Sequence, residues 1–295
     1  MLKYLKLRDW INIDKLNWDK LSSNSNAIQL LSENKNKIKW YLLSSNPNAI
    51  ELLSDNKDKV DWNYINENPN AIQLLLDNSD KIIWEYISSN PNAIDIIKNN
   101  LHKIDWDLLS GNPKAIELLK ENPDKINWNY LSSNPNAIEL LKENPDKINW
   151  NLLSTNPNAI ELLKENQNKI NWNNLSINEN SIEIFKIYPD KINWYYFSSN
   201  PNAIELIKEN LDKIDWNLLC TNSNAIELLF ENQDKINWDY LSSNPSIFTY
   251  DYKLIKNNFQ ELGEEIIFKS LNPNRLLKLM DLYGEDYIYN CFFNE

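Results

Sequence analysis

The sequence predicts an all-α solenoid of about eleven two-helix repeats, and three observations carry that prediction. Eleven tryptophans, Trp18, Trp40, Trp62, Trp84, Trp106, Trp128, Trp150, Trp172, Trp194, Trp216 and Trp238, recur every 22 residues without a slip. An asparagine holds one offset in all eleven copies, from Asn24 to Asn244, and proline follows it in eight. Apolar residues flank both markers at helical spacing. A fixed period of this size denotes one supersecondary unit stacked on copies of itself. The predicted organisation is an N-terminal cap over 1–14, a tandem array over 15–246 and a helical C-terminal cap over 247–295.

Residues 1–14 lack the motif but carry Leu2, Leu5, Leu7, Trp10 and Ile11, enough apolar surface to shield the open end of an array. The copy over 125–146 shows how each repeat is built. Asn127 is an N-cap for a short helix that starts at Trp128, with Trp128 and Leu131 on one face and Ile126 packing as a staple. Asn134 then caps a second helix, with Pro135 at the first helical position, where its missing N–H costs nothing. Ala137, Ile138, Leu140 and Leu141 form the inward stripe, and Glu139, Lys142 and Glu143 point outward. The helix ends near Asn144-Pro145, because the residue before proline avoids helical geometry. Isolated helices this short are marginal in water, so stacking must hold them. A row of such units is expected to curve, to extend on the order of 100 Å, and to offer one long concave face. Past Ile247 the period breaks. The segment 252–271 reads as a longer helix, and Asn272-Pro273-Asn274 opens another that runs through Leu276, Leu277, Leu279 and Met280 to Tyr283-Gly284.

The alternative is a leucine-rich-repeat-like α/β solenoid, whose strand also precedes an asparagine ladder. The position five before that Asn is polar or Tyr, as in Asp19, Tyr41, Asn63, Glu85, Asp107 and Asn129. The alternation of a half-buried strand is therefore missing, and helices are favoured.

The chain carries 42 acidic against 30 basic residues, a formal charge of -12, and no cluster of Lys or Arg. That balance disfavours nucleic acid and anionic membranes. Cys220 and Cys291 cannot make a disulfide framework, the first residues lack the apolar core of a signal peptide, and no run approaches a membrane span. An intracellular protein, not secreted, is expected.

No catalytic, metal or cofactor site is predicted. His102 is the single histidine and occupies a loop slot held by Asp or Asn elsewhere, and Cys220 takes a Ser slot as a small packing residue. Without Cys or His clusters there is no zinc site, and three glycines leave no phosphate-cradling loop. The tryptophans are expected in the core, buried between repeats, since two short helices need that apolar area. A loop lysine recurs from Lys37 to Lys235 opposite an acidic helix row, including Glu51, Glu117 and Glu139, which reads as a solvated surface or as a strip for a basic partner. Apolar residues in slots that are otherwise polar mark candidate partner contacts: Leu76, Ile83, Ile177, Ile187 and Phe230. The copy from Trp172 to Tyr188 departs most from the pattern.

The unit K-I-x-W-x-x-L-S-x-N-P-N-A-I-x-L-L-x-x-N-x-D, with its Asn-Pro-Asn-Arg-Leu-Leu-Lys-Leu-Met-Asp-Leu-Tyr-Gly ending, resembles the short tandem-repeat proteins of amoeba-infecting giant DNA viruses, the mimivirus-like group. Abundant Asn, Ile and Lys with few Gly fit the AT-rich genomes of that group. The resemblance implies a viral product acting in the host cytoplasm or packaged in the virion, and it transfers no catalytic residue. The expected function is a non-enzymatic scaffold for protein-protein interaction. The alternatives are a structural or virion component that self-associates and a modular RNA-binding repeat protein.

Overall fold

The protein is described by a computed structural model over residues 2–260 and 276–280. Its contacts divide into two units, and residues 7–248 hold the whole repeat array. The typical repeat is two short helices, as in Trp128–Ser133 and Ile138–Glu143, followed by a 3-10 turn, here Pro145–Lys147. The all-α solenoid of eleven repeats is therefore what forms.

Local chemistry explains each boundary. The side chain of Asn127 accepts from the Asn129 and Tyr130 amides and caps the first helix. Asn134 accepts from the Asn136 amide, and the turn beyond it feeds the second helix. That helix stops at Glu143, where the Asn144 side chain folds back to donate to the Leu140 carbonyl. The core is a stack of Leu131, Ala137 and Leu141 and their equivalents, all fully buried.

Two polar rows run through this apolar stack and join neighbouring repeats. Asn134 Nδ2 donates to the carbonyls of Ser110 at 3.0 Å and Asn112 at 2.9 Å, both in the preceding repeat. Ser132 Oγ donates to the Trp128 carbonyl and accepts the Asn149 amide of the next repeat. Among the described residues no buried side-chain nitrogen or oxygen lacks a partner.

The rows do not stop at the last repeat. Asn24 Nδ2 donates to the carbonyls of Ser242 at 3.0 Å and Asn244 at 3.1 Å, repeating the geometry that Asn46 makes to Ser22 and Asn24. The Asn17 amide donates to Ser242 Oγ, as the Lys39 amide does to Ser22 Oγ. Repeat eleven therefore precedes repeat one, and the array is a closed ring rather than the open curved rod the sequence suggested. The N-terminal residues complete it. The Arg8 amide donates to the Ile247 carbonyl and Arg8 Nε to the Ser246 carbonyl, while Trp10 packs on Phe230 with ring centroids 5.6 Å apart. Lys15 lies over Trp238 as Lys37 lies over Trp18. Residues 8–16 thus supply the outer half of the eleventh repeat, where Pro245–Ile247 is a 3-10 turn and Phe248–Tyr250 a strand in place of a second helix.

Closure in a single turn requires about 33° per repeat, so one helix row must be tighter than the other. First helices of successive repeats pack closely, with small Ser132-type residues buried between them, whereas second helices stand further apart. The first helices are therefore the inner wall. Packed at roughly 8 to 10 Å, eleven of them place their axes on a circle about 30 Å across. Helix bodies roughly 10 Å thick leave an opening on the order of 20 Å.

The second unit holds residues 3–6 and 249–260. Strands Leu5–Leu7 and Phe248–Tyr250 pair in a two-stranded sheet, the Asp251 amide donates to the Tyr4 carbonyl, and 252–260 is helical. The expected helices over 252–271 and from Asn272 to Gly284 are described only at 252–260 and 276–280; their remainder, with Cys291, lies outside the described residues. Among the described residues no helix is long and apolar enough to cross a membrane.

Candidate functional site: the inner wall of the ring

On each first helix the third and fourth residues after the Trp position are not equivalent to their neighbours. Leu131 and Ser132 are buried, while Asn129 and Tyr130, one and two residues after the Trp, are exposed. At 100° per residue these exposed positions lie opposite the core, so they face the opening. Reading around the ring, they place Tyr41, Tyr64, Tyr86, Tyr130, Tyr196 and Tyr240 on the inner wall, each at least 36% exposed. Tyr41 and Tyr64 come from successive repeats and meet with ring centroids 5.5 Å apart, so the row is continuous there.

Between repeats three and four the wall carries a groove of about 540 Å³ lined by Asn63, Tyr64, Glu67, Ile83, Glu85 and Tyr86. Its origin is local. At the position where nine repeats carry Ser and repeat ten Cys220, repeat three has Asn66, and its longer side chain donates to the Trp62 carbonyl and accepts the Ile83 amide. The first helix of this repeat is a 3-10 turn over Tyr64–Glu67 rather than an α-helix starting at the Trp.

Charge divides the wall into two arcs. Glu67, Glu85 and Asp107 lie in three consecutive repeats, exposed and without an ion-pair partner among the described residues. On the same helix row Asp19 is paired with Lys39 at 3.7 Å and Asp239 accepts from Asn17. Across repeats six to nine the slot of Glu85 and Asp107 is neutral, with Asn129, Asn151, Asn173 and Tyr195, and so is the slot of Glu67, with Ser133, Thr155, Ile177 and Ser199.

Three expectations about surface residues change. The repeat tryptophans are half-buried, not enclosed: each except Trp62 begins its helix, and in several repeats the loop lysine of the next repeat roofs the ring, as Lys169 does over Trp150 at 4.3 Å. The loop lysines and the acidic helix row do not oppose one another. Lys147 pairs with its neighbour Asp146, while Glu139 pairs with Lys142 one turn along its own helix, at 2.9 Å. The same local pairing recurs at Lys59, Lys81, Lys125, Lys191 and Lys235 and at Glu117, Glu161, Glu183 and Glu205.

The apolar residues in polar slots are scattered. Leu76, Ile187 and Phe230 are exposed on second helices of repeats three, eight and ten, and Ile177 is exposed at the end of a first helix. They do not meet in one patch. Phe230 is engaged by Trp10 at the closing seam. Only Ile83 lies in the groove, where it is half-buried. In the irregular repeat, Tyr188 stacks edge-on against Trp172 and its hydroxyl donates to Gln167, which ties two outer turns together.

The tyrosine row escaped sequence reasoning because Tyr alternates with Leu two residues after the Trp and so resembles core. The signal was the substitution of Lys20 and Asn174 at the same slot, which a buried position would not accept. Chemistry-bearing groups remain few. His102 is exposed, and among the described residues no group of three or more His, Cys, Asp or Glu could hold a metal ion. Cys220 is buried, and burial pushes its thiol up to about 11, so it stays protonated at neutral pH. Compared with protein-family models, curated proteins and solved structures, the chain finds no match in any of the three.

Proposed function

We propose that the protein is a non-enzymatic scaffold whose ring holds a protein segment against its inner wall. The observation that carries this reading is the row of exposed tyrosines among asparagines on that wall. Tyr supplies large, rigid, amphipathic area at low entropic cost, and Asn supplies adaptable hydrogen bonding, the mixture that binding surfaces favour. The resemblance to giant-virus repeat proteins supports a viral product that works inside the host cell or the particle, engaging a host or viral partner. The unpaired acids on the wall count against the RNA reading, because they would repel a phosphate backbone. Closure counts against stacking into filaments, since a ring has no exposed terminal repeat to template the next copy.

The test is affinity capture from host-cell lysate with and without nuclease. We expect a protein retained after nuclease treatment and lost when Tyr64, Tyr86, Tyr130, Tyr196 and Tyr240 are all replaced by Ser. Capture that vanishes with nuclease favours RNA, and capture indifferent to the five substitutions removes the inner wall from the reading.

A further inference from the structure

We infer that the groove between repeats three and four is built for a basic peptide segment, one presenting Lys or Arg in an extended or helical form. The inference deepens the scaffold reading and rests on it. Three independent features converge. The groove has a volume of about 540 Å³, enough for several side chains. Its two carboxylates, Glu67 and Glu85, are exposed and without an ion-pair partner among the described residues, unlike Asp19 on the same row. Its two tyrosines, Tyr64 at 40% and Tyr86 at 36% exposure, line the same groove as those carboxylates.

A guanidinium or ammonium between a carboxylate and an aromatic face gains both an ion pair and a cation–π contact. The protein itself uses the second of these, with Lys103 over Trp84 at 4.9 Å and Lys213 over Trp194 at 5.3 Å. Continuing along the wall, Asp107 extends the negative arc by one repeat and Tyr41 extends the aromatic row in the other direction. The site therefore spans about four repeats, a length that suits several basic residues. An opening on the order of 20 Å admits a helix of roughly 10 to 12 Å or an extended chain.

The experiment is a polarisation titration of the full chain with a fluorescein-labelled nona-arginine peptide at low salt, with nona-glutamate as the counterpart. We expect nona-arginine to bind and nona-glutamate not to. E67Q/E85Q should weaken nona-arginine by between about threefold and thirtyfold, the range two partly exposed charge contacts give. E121Q/E143Q, which removes two exposed acids from second helices, should leave affinity within twofold. All substituted positions are on the surface, so unchanged circular dichroism verifies folding. Equal binding by E67Q/E85Q and wild type overturns the inference, as does an equal loss in E121Q/E143Q or tighter binding of a single-stranded RNA. If a captured protein depends on the tyrosines while nona-arginine fails to bind, this inference falls and the scaffold reading stands. Loss of tyrosine-dependent capture removes both.

Discussion

Ring closure makes Asn24 equivalent to an asparagine in the middle of the array, and that equivalence can be measured. Asn24 donates to Ser242 and Asn244 carbonyls at 3.0 and 3.1 Å and accepts from the Asn26 amide at 3.0 Å. Asn134 makes the same three bonds at 3.0, 2.9 and 3.0 Å. Both side chains are almost completely buried. Three hydrogen bonds at roughly 0.5 to 1.5 kcal/mol each imply a cost of about 2 to 4 kcal/mol for Asn→Ala at either site. Urea unfolding followed by tryptophan fluorescence and by far-ultraviolet circular dichroism gives both values. In an open array the first repeat would fray, and Asn24→Ala would cost less than about 0.5 kcal/mol while Asn134→Ala kept its full cost. That asymmetry would refute the closed ring; equal costs are the expected result.

Ser132→Ala removes a donor to the Trp128 carbonyl and an acceptor for the Asn149 amide; a loss of about 1 to 3 kcal/mol is expected in the same assay, whereas Ser132→Asn should be tolerated, because Asn66 serves both partners in repeat three. Trp10→Ala and Phe230→Ala should each destabilise, and their double-mutant cycle should show about 0.5 to 1.5 kcal/mol of coupling from the ring contact at the seam. Cys220 should resist Ellman's reagent at pH 8 in the folded chain and react rapidly in urea. Because its folded pKa of about 11 lies above the 9.0 of an unperturbed thiol, the folded state binds the proton more tightly. The stability this contributes is full below pH 9 and is lost between pH 9 and about 11, so Cys220→Ser should flatten the alkaline limb of the stability profile.

The repeat itself was legible because its signals are local. Asn127 as a cap, Pro135 beside Asn134 and the break at Asn144-Pro145 each act within one turn of the helix they delimit, so spacing alone locates them. Closure was not legible in the same way. It depends on a small rotation per repeat, set by how near the buried serines let first helices approach, and no single copy reveals an angle. One trace is present in the sequence: Lys15-Leu16-Asn17 matches the loop that precedes each repeat Trp, while Ser246-Ile247-Phe248-Thr249-Tyr250 stands where the other repeats begin their second helix with Asn-Ala-Ile-x-Leu or a close variant. The two ends are complementary halves of one repeat, and both were read as caps. The wall was hidden for a different reason. Tyr at a helical offset from Trp looks like core until the curvature decides which face turns toward the opening.

A ring closed by hydrogen bonds between its ends also has a copy number. Tandem repeats in genes gain and lose units by slippage during replication, and an open solenoid absorbs such a change as a longer or shorter rod. Here one more 22-residue copy would carry the eleventh Ser and Asn partners about 33° past Asn17 and Asn24. The seam that joins Arg8 to Ile247 and Trp10 to Phe230 would then part, exposing two aromatic rings to solvent. Eleven is therefore a number that folding itself enforces, and a gene that drifts from it is penalised through the stability of its product.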